Sequence, residues 1–131
     1  MKFLFKRADG GPESGVTGYW LIEWKSVFSI VLLRFEASRR ETFHSHAFHA
    51  LTWWVRGEAR EHHADGRVLT WRPSLWPKWT PRSVQHRIEP QRTTWALSVR
   101  GPWQRYWTEW DPRSGATTRL GPGREIVGVV S

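Results

Sequence analysis

Phe43-His44-Ser45-His46-Ala47-Phe48-His49-Ala50-Leu51-Thr52-Trp53-Trp54-Val55-Arg56-Gly57 places three histidines within six residues and runs directly into an apolar, β-prone segment. In an extended strand, residues two apart share a face, so His44 and His46 present two imidazoles to one point, as a transition metal requires. A third ligand must come from elsewhere in the chain. Strict alternation turns His49 away from this pair, and only a bend at Ala47-Phe48 would bring it round.

Outward from this stretch the chain reads as short strands separated by turn formers. Lys2 to Phe5, Tyr19 to Trp24 and Ser26 to Glu36 precede it, with the polar turn Ala37-Ser38-Arg39-Arg40-Glu41 leading in. Ala50 to Val55, Ala59 to His63 and Arg67 to Trp71 follow; the last two flank Ala64-Asp65-Gly66, where Asp-Gly tolerates the positive φ of a tight hairpin. Leu75 to Pro81 is rich in Pro and Trp, and Pro77 lacks a ladder donor, so this segment is expected to cross the end of a barrel. Ser83 to Ile88 and Thr94 to Arg100 are two further strands. Trp103 to Trp110 is a short aromatic element, Asp111 to Gly123 is turn-rich and Arg124 to Val130 is a final strand. Close, even spacing and the lack of an amphipathic helical stretch predict an all-β sandwich or barrel.

The 131 residues fit one domain, 1–131, with 1–18 as a strand and arm and 111–131 as a C-terminal extension. Without cysteine there is no disulfide framework, thiolate metal site or Cys nucleophile, so a metal must be held by imidazole and carboxylate. Neither a signal peptide nor an apolar run of membrane-spanning length is read, and the expected location is the cytoplasm or an intracellular phage assembly. The formal charge is +8, concentrated in residues 67–131, and sixteen of the twenty cations are Arg, which suits carboxylate, phosphate and aromatic partners. Eleven tryptophans exceed what a small core can bury, so several are expected to face a pocket or a partner. A phosphate-cradling Gly-rich loop, a Gly-x-Ser-x-Gly elbow and a His-Glu-x-x-His motif are all missing.

At the histidines the chain resembles the cupin superfamily. The first cupin motif joins His-x-His to a Glu three or four residues on and a Gly after six more; His44-Ser45-His46 and Gly57 stand at that spacing. The second reads Pro-x-Gly-x-x-His; Pro81-Arg82-Ser83-Val84-Gln85-His86 matches except for Ser83. The likeness runs from about Phe35 to Arg100 and is strongest to small stand-alone cupins of bacteria and phages. It implies a double-stranded β-helix, or jelly-roll barrel, holding one divalent metal on His44, His46 and His86. The cupin Glu is absent, since Ala50 and Leu51 occupy its positions. Either a three-His site, as in the thiol dioxygenases of the cupin class, or recruitment of His49 would complete the set.

The metal expected from the resemblance is Fe(II), with Ni, Zn or Mn as alternatives, serving a mononuclear non-haem oxygenase acting on a small organic substrate. If Phe28 faces inward, so does Arg34, which then suits a substrate carboxylate; Arg100 and Arg87 are its rivals, an ion pair with Glu36 or Glu41 is the structural alternative, and Trp54 is a pocket wall. His62 and His63, beside the hairpin turn, are expected at the surface. The competing reading is a non-catalytic module in a phage particle or on nucleic acid, drawing on the lost Glu and the Arg- and Trp-rich second half. A homo-oligomer, dimer or higher, fits both readings.

Overall fold

Thirteen β-strands make up the regular structure of the computed structural model, which describes residues 1–10, 14–37, 43–121 and 124–130. They are β1 Lys2–Ala8, β2 Val16–Trp24, β3 Phe28–Phe35, β4 Phe43–His44, β5 Ala50–Arg56, β6 Ala59–His63 and β7 Val68–Trp71. After these come β8 Lys78–Thr80, β9 His86–Pro90, β10 Thr94–Arg100, β11 Trp107–Trp110, β12 Thr117–Leu120 and β13 Ile126–Val130. They form two antiparallel sheets, ordered β1-β2-β3-β10-β5-β8 and β13-β12-β11-β4-β9-β6-β7. This is the expected all-β jelly roll. No helix among the described residues is long and apolar enough to cross a membrane.

The core forms where the inner faces of the sheets meet. Val31 on β3 pairs in register with Trp20 on β2 and Ser98 on β10, and all three are buried. This row sets the phase of the sheet: Ser29, Val31, Leu33 and Phe35 point inward from β3, and Thr94, Ala96, Ser98 and Arg100 from β10. The larger Trp95, Leu97 and Val99 stay half-buried on the outer face. Small side chains on a central strand leave room inside for Trp20 and Trp54, which with Phe35 and Ala59 make the main apolar cluster. Trp20 also stacks on Phe5, ring centroids 5.2 Å apart, and so ties edge strand β1 to the barrel.

The strand phase corrects the expectation for Arg34, because β3 is apolar on both faces and its inward face cannot be read from its own residues. Arg34 lies on the outer face beside the stacked rings of Tyr19 and Trp95, with Nε 3.1 Å from Glu36 Oε1. The structural ion pair, not the inward anchor, is what forms. Residues 38–41 of the predicted polar turn lie outside the described residues. Several strands are shorter than expected, β9 beginning only at His86 and β13 at Ile126, while the turn-rich 111–123 contains β12. Leu75 to Pro81 does not stay irregular: Lys78–Thr80 pairs with β5 as an edge strand directly after Pro77, where the missing donor costs nothing.

Gly57 turns the chain from β5 into β6 with φ +95°, a conformation that side-chain-bearing residues rarely adopt. A Cβ there would meet Thr94 Oγ1 at 2.6 Å and the Thr93 carbonyl at 2.7 Å. Thr94 Oγ1 in turn accepts a hydrogen bond from the Glu58 N–H. Gly57→Ala is therefore expected to lose about 1–3 kcal/mol of stability, measured by urea unfolding; an unchanged midpoint would show that the turn is not strained by a side chain.

Candidate metal centre

His44 ends β4 and stands opposite His86 of β9 in the antiparallel register, which brings two histidines distant in sequence side by side. His46, two residues on, shares the face of His44. The three imidazoles form a nearly equilateral triangle, with ring centroids 4.8, 5.0 and 4.9 Å apart and planes inclined at 83°, 68° and 84°. One ligand nitrogen from each lies within 4.8 Å of the others. Among the described residues this is the group of His and carboxylate side chains that meets metal-site spacing.

The chemistry of these nitrogens fits a cation. Burial pushes the His46 imidazole well below its ordinary range, and the neighbouring His44, His86, Arg100 and Lys78 push it further down. Burial also lowers His86, against the opposing pull of Glu61. Both rings are therefore neutral and offer a lone pair. His46 Nδ1 and His86 Nε2 are buried without a hydrogen-bond partner, a costly arrangement for polar atoms unless something else completes them.

Glu61 on β6 sets the state of His86. It is fully buried, and its Oε2 joins His86 Nδ1 in a short hydrogen bond. The proton of His86 consequently sits on Nδ1 and the free lone pair on Nε2, which turns toward the cluster. The same oxygen accepts from Lys78 Nζ at 2.5 Å, Oε1 accepts from Trp71 Nε1 at 3.1 Å, and His63 Nε2 stands 3.1 Å from Oε1. Burial raises the Glu61 carboxyl, but the His86 hydrogen bond and the Lys78 charge outweigh it and hold the group well below the usual carboxylate range. Lys78 is itself lowered by burial, donates to Thr80 Oγ1 at 2.9 Å and lies over the Trp71 ring.

The other expected site residues divide. Trp54 and Arg100 point inward and line a cavity of about 530 Å³ that also contains the three histidines. His49 points the other way: its ring stacks on Trp79 and its Nδ1 accepts the Arg82 N–H at 2.9 Å, so recruitment of His49 fails. Ala50 packs with Ala47 and Phe48 and brings no carboxylate. His62 and His63 are half-buried rather than at the surface, His62 beside Glu89 and His63 beside Glu61. Glu61 and Lys78 were missed by sequence reasoning. Strand alternation in Ala59-Arg60-Glu61-His62-His63 carries the signal, since Ala59, Glu61 and His63 share the inner face.

No family model matches the chain, and no curated protein matches it in sequence. Solved structures do. A sugar phosphate isomerase of the cupin superfamily from Silicibacter pomeroyi superposes with a TM-score of 0.64 at 13% identity, over 97% of this chain and 86% of that one. The chain has the cupin fold. An RmlC-like cupin from Shewanella frigidimarina matches with a TM-score of 0.55 at 18% identity, over 72% of this chain and 81% of that one. The Fe(II) form of HppE matches with a TM-score of 0.60 at 9% identity, over 74% of this chain and 55% of that one. At these identities the likeness is one of fold. Within this cupin barrel no carboxylate among the described residues joins the triangle at metal-site spacing; Glu61 holds His86 from behind, and Glu109, opposite His44 in the strand register, lines the same cavity.

Glu61 and Lys78 are buried partners, so removing one strands the other. Glu61→Gln is expected to cost about 3–5 kcal/mol, and adding Lys78→Met to it should restore much of that loss. A double-mutant cycle by urea unfolding measures the coupling; additive losses would mean that the pair is not coupled.

Proposed function

We propose that this cupin holds one divalent transition metal on His44, His46 and His86, Fe(II) by preference with Ni, Zn or Mn as alternatives, and acts on a small organic substrate as a mononuclear oxygenase-type enzyme. The observation that carries this is the triangle of imidazoles whose buried His46 Nδ1 and His86 Nε2 have no partner. When bound, such an ion supplies a Lewis acid and, as iron, a centre for oxygen chemistry, with coordination positions left open by a three-His set. The residues of the chain prepare the place. Glu61 retains the proton on His86 Nδ1 and so fixes the orientation of the ring, while Lys78 balances its charge. Phe48, Trp54 and Trp103 give the cavity apolar walls that keep water from the reacting atoms. The Fe(II) form of HppE, which shares the fold, is consistent with this choice of metal.

A second reading, a binding module without catalysis, draws on the surface. Leu75 and Trp76 are 93% and 84% exposed, and Trp79 is 57% exposed, in a chain of net charge +8. That reading requires retention on DNA or heparin that falls steeply with salt.

Metal analysis of untagged protein separates the two. About one equivalent per chain is expected, falling below about 0.2 in His44→Ala, His46→Ala and His86→Ala but unchanged in His49→Ala. Glu61→Gln should retain the site with an affinity lowered about 10–100-fold. Wild-type protein with almost no transition metal and no uptake of added Fe(II) would defeat the proposal.

A further inference from the structure

Six cations among the described residues line the cavity that holds the histidine triangle; Lys25 lies over the Trp103 ring and Arg87 over the Phe43 ring, and three others pair with carboxylates. Arg7 pairs with the buried Glu23 at 2.7 Å, Lys78 with the buried Glu61, and Arg124 with Glu109 at 2.6 Å. Arg100 differs. Its guanidinium is held as a fork on Asp9, with Nη1 3.3 Å from Oδ1 and Nη2 2.7 Å from Oδ2.

The two halves of this pair are unequal. The Arg100 side chain is 3% exposed, belongs to a strand paired on both sides, and lies over the Phe48 ring at 4.5 Å. Its Nε is buried with no partner among the described residues. Asp9, in contrast, follows the end of edge strand β1, is 27% exposed and precedes Gly10 with φ +82°. The Asp9 carboxylate, which also attracts Arg124, is partly exposed and can be hydrated when displaced, whereas Arg100 cannot be left without an anion. Phe48 also packs on the His46 ring at 5.1 Å, so a group held by Arg100 lies one side chain from the triangle.

We propose that Arg100 is the anchor for the carboxylate of a small organic acid, and that Asp9 is the internal anion that fills this place until the acid displaces it. The fork already displays the geometry of a bound carboxylate, because Asp9 is one. The acid should carry an apolar or aromatic body, since Phe35, Phe48, Trp54 and Trp103 wall the same cavity and its volume of about 530 Å³ suits a small ligand. This assignment rests on reading the cavity as a substrate site and extends that reading to the class of substrate.

Calorimetric titration of the full chain with benzoate, using benzamide as the uncharged control, tests it. Asp9→Ala should bind benzoate about ten-fold or more tightly than wild type, with no gain for benzamide, and Arg100→Gln in the Asp9→Ala background should abolish the gain. Where Asp9→Ala does not fold, Asp9→Asn keeps the shape, removes the charge and should show the same direction. Each titration is repeated after chelation. A gain that persists supports the anchor even if the metal assignment fails, whereas a gain lost on chelation means that benzoate sits on a metal and overturns it. No gain in a folded Asp9 variant, or an equal gain for benzamide, also overturns it.

Discussion

Glu61 joins the two sheets of the barrel through one buried carboxylate. It stands on β6 of the seven-stranded sheet and takes the ammonium of Lys78 from β8 of the six-stranded sheet, while its contact with His86 runs within its own sheet. A fully buried carboxylate is costly unless each oxygen is satisfied, and here His86, Lys78 and Trp71 satisfy both. One network therefore closes the barrel at this point and also sets which nitrogen of His86 faces the cavity. Stability and site geometry share the same atoms.

The rest of the interior follows from the need for space next to that network. Small inward residues on β10 and the alanines at 47 and 50 leave a cavity between the sheets instead of a filled core. Aromatic groups bound it, and six cations among the described residues line it, four of them paired with carboxylates. Imidazole ligands are bound through a neutral nitrogen and add no charge of their own, so a divalent ion there would keep its full charge for whatever anion occupies the remaining positions. An Arg at the far side of Phe48 fits that electrostatic arrangement.

Much of this was legible in the sequence. An all-β sandwich or barrel could be read from short strands and turn signals, while the jelly roll and the joining of His86 to His44 and His46 were implied by the resemblance carried by His44-Ser45-His46, Gly57 and Pro81 to His86. His49 does stand apart from the pair, but not through alternation: the chain bends at Ala47-Phe48 between the two sheets, and Trp79 and the Arg82 N–H hold the ring on the other side. Two things were not legible for a physical reason. The phase of β3 is hidden because Phe28 to Phe35 is apolar on both faces, and only pairing of Val31 with Trp20 and Ser98 decides that Arg34 faces out. Lys78 and Asp9 belong to short edge segments whose partners are 17 and 91 residues away, and no local pattern announces such contacts. Glu61 lies between these cases: its alternation with Ala59 was visible, but a carboxylate in a polar hairpin strand looks solvated until its partners are known.

The central claim is that the three imidazoles are the ligands of one metal ion. Crystals grown without chelator and supplied with Fe(II), with anomalous data collected on either side of the iron edge, address it directly. The account predicts a single strong peak bonded to His44, His46 and His86, with Glu61 hydrogen-bonded behind His86 and outside the coordination shell. A peak centred on His62 or His63, or none within the triangle at full iron occupancy elsewhere, would contradict it.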